Sequence, residues 1–301
     1  MDIGIFTDNV AGKQATVDNV VAEARRVHDA GFTSFWMPQI FGLESLTTLA
    51  IVGREVPGLN VGTDVVPTFR QHPMALAGQA LTVSQAVGGR LTLGIGLSHQ
   101  IVVESMWGLS YAKPARHMAE YLEALVPMLE GRPSSVNGDS VTSNGTIMIT
   151  APAPTLLVAA LGPRMLGLAG RLAAGTITWM VGPATLKAHI APSIRAAAEE
   201  AGRPEPRVVA SLPICVTDDP AGARERAANI YVMYGQLPAY RAMLDREGAA
   251  GPEDVALIGS ADQVAERLAG AFAAGATTVV ANEFGTPDER AATREALATL
   301  L

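Results

Sequence analysis

Short apolar runs alternate with amphipathic stretches from one end of the chain to the other. The first run is Ile3-Gly4-Ile5-Phe6. Val17, Val20, Val21, Ala24 and Val27 follow at spacings of three and four, which places them on one helix face. That helix is predicted to stop at Asp29-Ala30-Gly31, since glycine commonly follows a helix end. The pattern then repeats. Apolar runs fall at 32–37, 59–66, 91–95, 155–160, 176–180, 208–216 and 276–281. Helical patterns separate them at about 44–55, 73–87, 115–130, 163–173 and 184–200, the last with a kink or restart at Pro192, and through much of 219–257. A further helix places Val264, Leu268 and Phe272 together, and the chain ends in another. Residues 132–152 break the rhythm. Asn137-Gly138-Asp139 and Ser143-Asn144-Gly145 are turn signals around β-prone residues, and they predict an inserted hairpin after the fourth helix.

Eight apolar runs linked by helices imply a parallel sheet covered on both faces. The fold predicted is an α/β protein, a single (β/α)8 TIM barrel over residues 1–301. An open doubly wound sheet is the alternative. It is disfavoured because Phe6-Thr7-Asp8-Asn9-Val10-Ala11-Gly12, after the first run, is not a dinucleotide-binding glycine fingerprint. In a barrel, function sits at the strand C-termini. Those positions are Thr7-Asp8, 38–41, 64–72, 96–99, 161–164, 179–182 and Glu283.

Composition narrows the class. With 49% apolar residues, disorder and collagen-like structure are excluded, and one cysteine excludes a disulfide scaffold. Lys+Arg 22 against Asp+Glu 29 gives a net charge of −7, which disfavours nucleic acid and anionic membranes as partners. No basic signal region and no membrane-length apolar run is present, so the expectation is a soluble, cytoplasmic protein. The five histidines, His28, His72, His99, His117 and His189, form no zinc motif, and there is no G-x-S-x-G elbow. His28, His117 and His189 read as surface or satisfied helix residues.

Three segments hold candidate chemistry. Gly94-Ile95-Gly96-Leu97-Ser98-His99 leaves a strand through glycine, which allows close approach of a ligand and equally an ordinary tight turn. Ala160-Leu161-Gly162-Pro163-Arg164 passes from strand into helix. It reads as a phosphate cradle at a helix N-terminus, or as a plain turn with a surface arginine. Asp64 lies inside an apolar run, so its carboxyl must be paired, protonated or facing a cavity, unless it ends the strand or caps a helix.

Taken together, Gly31-Phe32-Thr33-Ser34-Phe35-Trp36, Thr68-Phe69-Arg70-Gln71-His72-Pro73, 89–96, 160–170 and Gly175-Thr176-Ile177-Thr178-Trp179 resemble the bacterial luciferase-like superfamily. Within it they are most similar to the coenzyme F420-dependent oxidoreductases. The resemblance implies a luciferase-like (β/α)8 barrel with a deazaflavin at its C-terminal mouth, a small-molecule substrate and a homodimer. It implies a non-prolyl cis peptide in the third strand, here Asp64–Val65, behind the deazaflavin ring. It assigns Gly96, Leu97, Ser98 and His99 to the cofactor loop. Gly162, Pro163, Arg164, Thr178 and Trp179 take the phosphate and tail contacts.

Departures from the family pattern limit the transfer. The Asp-His pair that many members carry after the second strand is Gln39-Ile40, and the usual Ala-Asp-Gly is Ala173-Ala174-Gly175. Gln39 can hydrogen-bond a ring but cannot move a proton. His99 stands where sugar-phosphate dehydrogenases carry an acid, and it is the candidate proton donor or, equally, a positioning histidine. Trp36, Phe41, Trp107, Trp179 and Tyr234 are candidate walls of the site, or core. Two other functions stay open: an FMN-dependent monooxygenase of the same superfamily, and a catalytically silent deazaflavin-binding barrel. No metal is expected.

Overall fold

A computed structural model describes residues 1–301. Twelve strands are formed: β1 Ile3–Phe6, β2 Ser34–Met37, β3 Asn60–Thr63, β4 Val66–Pro67, β5 Leu91–Gly96, β6 Ser134–Asn137, β7 Thr142–Gly145, β8 Thr155–Ala159, β9 Gly175–Trp179, β10 Arg207–Val216, β11 Leu257–Gly259 and β12 Thr278–Glu283. The parallel ring runs β1, β2, β3, β5, β8, β9, β10, β12 and returns to β1, giving a closed eight-stranded (β/α)8 barrel. β4 continues the third ring position beside β5, and β11 extends β10 outside the ring. β6 and β7 form the expected antiparallel hairpin.

Alternation along each strand sorts the side chains. Leu91, Leu93 and Ile95 face outward into the large core between sheet and helices. Trp36, Leu157, Ile177, Val209 and Val280 face inward and fill the barrel, with Phe6, Val65 and Ala159 packed against them. Trp36 is therefore core; its indole N–H donates to Ser34 Oγ at 3.0 Å. Glycine makes room for it. A Cβ on Gly62 would sit 2.4 Å from the Trp36 ring, and one on Gly4 would sit 2.6 Å from the indole nitrogen. The inward layer thus depends on two absent side chains.

Two sequence expectations are refined. The long helix over 184–200 is three pieces: Pro183–Thr185, a π-helical turn Leu186–Ile190, and Ala191–Glu200. Pro192 is the cause, since it has no N–H to give the carbonyl of Ala188 and its ring crowds that turn. The region 219–257 is Pro220–Ile230, Val232–Gln236, Pro238–Glu247 and Pro252–Val255, ending in the short strand β11. No helix is long and apolar enough to cross a membrane.

Candidate active site

The only two non-glycine residues with left-handed backbone are Ser98 (φ 61°) and Met180 (φ 56°). Each lies at the C-terminal mouth of the barrel, after β5 and β9. Such a conformation costs about 1–2 kcal/mol and is tolerated where surrounding structure fixes it, commonly at functional sites. The left-handed turn at Ser98 delivers His99 to the mouth. The half-buried imidazole packs edge-on against Tyr234 and Tyr240, at ring-centroid distances of 6.3 and 6.0 Å. Its ring nitrogens have no hydrogen-bond partner in the chain. Burial pushes its pKa down, so at neutral pH the ring is uncharged and free to accept a proton.

The aromatic wall continues. Tyr234 and Tyr240 are 5.0 Å apart, Trp179 is 5.9 Å from Tyr234, and Phe6 stacks on Trp179 at 6.2 Å. Both tyrosines come from the helices Val232–Gln236 and Pro238–Glu247, which fold over the mouth. Burial raises both phenol pKa values, so both remain neutral. The Trp179 Nε1–H is buried beside the Tyr234 hydroxyl and makes no well-formed hydrogen bond to it or to any other group of the chain. A buried unpartnered donor is uncommon and leaves a hydrogen bond to be made by a ligand.

Asp64 follows β3, and the Asp64–Val65 peptide is cis, at the bond named from the sequence. Its Oδ2 accepts a hydrogen bond of 2.5 Å from Ser211 Oγ on β10. β3 and β10 are diametrically opposite in the ring, so this bond spans the barrel beneath the mouth. Burial pushes the Asp64 carboxyl up to about 6, against the opposing effect of Ser211. Val65 closes on β5: a Cβ at Gly96 would sit 2.7 Å from its methyl, so Gly96 is required for that approach.

At the phosphate-cradle candidate, Gly162 precedes the helix Pro163–Leu172 and no side chain caps that helix. Its first-turn N–H groups therefore lack a side-chain partner, at the positive end of the helix dipole. A Cβ on Gly162 would meet nothing within 4 Å. His189 Nε2 lies 2.8 Å from the Leu161 carbonyl and fixes the approach to this turn. Arg164 is exposed beside it. The turn at Gly182 offers a contrast. There Glu247 accepts from the N–H groups of Ala184 and Thr185 at 3.0 and 2.7 Å, so a carboxylate of the chain already fills that anion position.

Three other sequence candidates have different surroundings. Gln39 is buried, and its Oε1 accepts from the Ser45 N–H at 2.6 Å, so only its amide NH2 is left for a ligand. Thr178 alternates away from inward-facing Ile177 and Trp179, and its hydroxyl reaches the Val209 carbonyl at 3.4 Å; its side chain is not brought to the mouth. Leu97 packs against the large core. Of the wall candidates, Phe41 is exposed on the rim, and Trp107 carries Arg70 over its ring at 5.0 Å. His117 is satisfied, 3.1 Å from Thr68 Oγ1 and stacked on Phe69. Ser211 was not a candidate from sequence, and Met180 entered only as part of the strand-end stretch 179–182. Ser211 shares the inward parity of Val209, and that alternation is the signal that could have found it.

The chain belongs to the luciferase-like monooxygenase family, whose model matches residues 1–278. The superfamily resemblance seen in the sequence therefore holds. The chain is 26% identical over 273 residues to the 5,10-methylenetetrahydromethanopterin reductase of Methanolobus tindarius, covering 88% of this chain and 82% of that protein. Its fold matches the coenzyme F420 dependent tetrahydromethanopterin reductase from Methanopyrus kandleri with a TM-score of 0.82 at 21% identity, over 99% of this chain and 97% of that one. It also matches the oxygenating constituent of 3,6-diketocamphane monooxygenase of Pseudomonas putida, in complex with FMN, with a TM-score of 0.79 at 18% identity, over 99% and 96% of the two chains.

Proposed function

We propose that the chain is a coenzyme F420-dependent oxidoreductase that moves a hydride between the deazaflavin C5 and a small organic substrate. The observation that carries this reading is the uncapped helix start at Gly162–Pro163, on the same rim as an aromatic mouth with an unpartnered indole N–H. Backbone N–H groups at a helix start are suited to a phosphate, and the mouth offers apolar walls for a flat ring. The likeness to the Methanolobus reductase over most of both chains supports the deazaflavin over other carriers.

In this reading Gly162, Pro163 and Arg164 hold the cofactor phosphate. Gly96, Ser98, the backbone of Leu97 and the Asp64–Val65 segment back the ring, and Trp179 donates through Nε1. Bound there, the deazaflavin supplies a two-electron hydride carrier, which is the difficult part of the chemistry. The chain has to manage one proton and exclude water. His99 exchanges the proton at a ring nitrogen. Its uncharged state at neutral pH suits it to accept a proton from a substrate hydroxyl during oxidation, and to return one in the reverse direction. Tyr234 and Tyr240 shield the reacting carbon from solvent.

Titrating the purified protein with coenzyme F420 and, separately, with FMN tests the assignment. Micromolar or tighter binding of coenzyme F420 is expected, with substrate-dependent bleaching of its absorbance. Tight binding of FMN alone would replace this reading by the monooxygenase one, which the likeness to the FMN-bound Pseudomonas protein supports. Binding without turnover of any substrate would leave a carrier protein.

The cradle has its own test. Gly162 has ordinary extended backbone (φ −84°, ψ 158°) and open space at its Cβ, so valine fits the cofactor-free protein. Gly162→Val is expected to leave stability within about 0.5 kcal/mol of wild type. It should weaken cofactor binding by roughly tenfold or more, by crowding the phosphate against the N–H groups. Unchanged affinity in a folded variant removes the cradle from the site.

A further inference from the structure

Asp64 is an unusual side chain to find beneath an aromatic mouth. It comes from the third ring position and is tied by one hydrogen bond, from Ser211, to the seventh. Its other oxygen, Oδ1, has no partner in the chain, and no lysine, arginine or histidine forms an ion pair with it. The titratable groups facing it are the phenols of Tyr234 and Tyr240, and His99 packs on both. Both phenols are neutral, so the Ser211 hydroxyl alone favours a negative charge on Asp64, against its burial. Val65, joined to it, packs into the inward layer against Gly96. Asp64 therefore lies where the base of a ligand in the mouth would rest.

The two protonation states offer such a ligand opposite chemistry. A carboxylate only accepts hydrogen bonds, whereas a carboxylic acid donates one. The ring of a flavin or deazaflavin presents carbonyl and imine acceptors along its pyrimidine edge, and the rest of the cofactor is anionic. A carboxylate at Oδ1 repels those groups; an acid, held through Oδ2 by Ser211, donates to one of them.

We propose that Asp64 takes part in cofactor binding as a carboxylic acid, with Oδ1–H as donor to the ring, so that its ionisation weakens occupancy of the mouth. This rests on the deazaflavin reading and adds a residue role to it. The raised affinity of Asp64 for its proton is consistent with the geometry: burial pushes the carboxyl up to about 6, within reach of neutral pH. Cofactor affinity is high below that value and falls as pH rises through it.

The test is fluorescence titration of coenzyme F420 between about pH 5 and pH 8 with wild type, Asp64→Asn and Ser211→Ala. Only the fraction of protein in the competent protonation state binds, so wild-type affinity should fall by roughly 10–100-fold across that range. Asparagine donates through its amide at every pH, so Asp64→Asn should show a profile flatter by that factor. Ionisation of the cofactor itself is common to both proteins and cancels in the ratio. Losing the Ser211 hydroxyl removes a bond that favours the carboxylate, so Ser211→Ala should shift the fall to higher pH. Parallel profiles for wild type and Asp64→Asn would overturn the role of Asp64 while leaving the deazaflavin reading standing. Failure of wild type to bind at any pH would overturn the deazaflavin reading and this role with it. A second readout needs no cofactor. The infrared band of a protonated carboxyl that disappears in Asp64→Asn should titrate near 6 in the free protein. Titration in the ordinary aspartate range would overturn the proposal; should Asp64→Asn fail to fold, the band is identified instead by its shift in Ser211→Ala, which removes the one hydrogen bond to this carboxyl.

Discussion

Replacing Arg294 with methionine is expected to cost about 3–5 kcal/mol of folding stability at about pH 8, because it strips the cation from two buried carboxylates. Arg294 Nε donates to Glu283 Oε1 at 2.8 Å, and its Nη2 reaches Glu283 Oε2 and lies 3.8 Å from Glu23 Oε1. The side chains of Glu283 and Glu23 are only 5% and 15% exposed, so solvent cannot replace the lost charge. Glu23 keeps one bond, from Thr7 Oγ1 at 2.8 Å; Glu283 keeps none. The position matters as much as the burial. Glu23 sits on the first helix, Val17–Asp29, Arg294 on the last, Pro287–Ala298, and Glu283 ends β12, which pairs with β1 to close the ring. The arginine thus fastens the two chain ends where the barrel closes.

The pH dependence gives that expectation a sign. Burial raises the pKa of both carboxyls even with Arg294 present, and removing it raises them further. A carboxyl whose folded value exceeds its unfolded value destabilises the fold only where the unfolded chain ionises it. The deficit of the variant should therefore be full at about pH 8 and shrink as pH falls towards the ordinary glutamate value of about 4.3. Urea unfolding at both ends of that range measures it. A loss below about 1 kcal/mol at the upper end, or one independent of pH, would show that water or a rearranged side chain takes over from the guanidinium.

Where the chain declares its own periodicity, the structure could be read in advance. Each ring strand is an apolar run whose two faces are both buried, inward against Trp36 and outward against helices, so the pattern needs no partner to be visible. The turn-rich residues of the hairpin were legible for the same reason. β11 was not, because its three residues gain strand character only by lying beside β10. The mouth divides likewise. Gly162–Pro163 announces a helix start, and the glycines of β5 announce a close approach, now seen as Val65 against Gly96. Gln39, by contrast, gave no hint that Ser45 six residues on would take its carbonyl. The crossing of Asp64 to Ser211 joins residues 147 positions apart, and Tyr234 and Tyr240, which fold over His99, also lie far from it in sequence. Those contacts exist only once the ring has closed.

The largest effect on activity is expected from His99→Gln. Glutamine keeps a hydrogen-bonding group of similar reach but cannot exchange a proton, so kcat should fall by about 10²–10⁴-fold if the imidazole is the acid/base. Cofactor affinity should change by no more than a few-fold, since Gly162, Arg164 and Trp179 are untouched. The pH profile separates this from a positioning role. In the oxidative direction wild-type kcat should decline at acid pH as the ring takes up its proton, at a value below the ordinary 6.5 because burial disfavours the charged form. The variant should lose that acid limb together with its rate. A histidine that merely packs against Tyr234 and Tyr240 behaves differently: its loss raises KM or the cofactor dissociation constant, leaves kcat within about tenfold, and preserves the shape of the profile. Single-turnover measurement of deazaflavin bleaching, which isolates the hydride step from product release, decides between the two. An unchanged rate in that experiment would pass the proton to solvent or to Asp64.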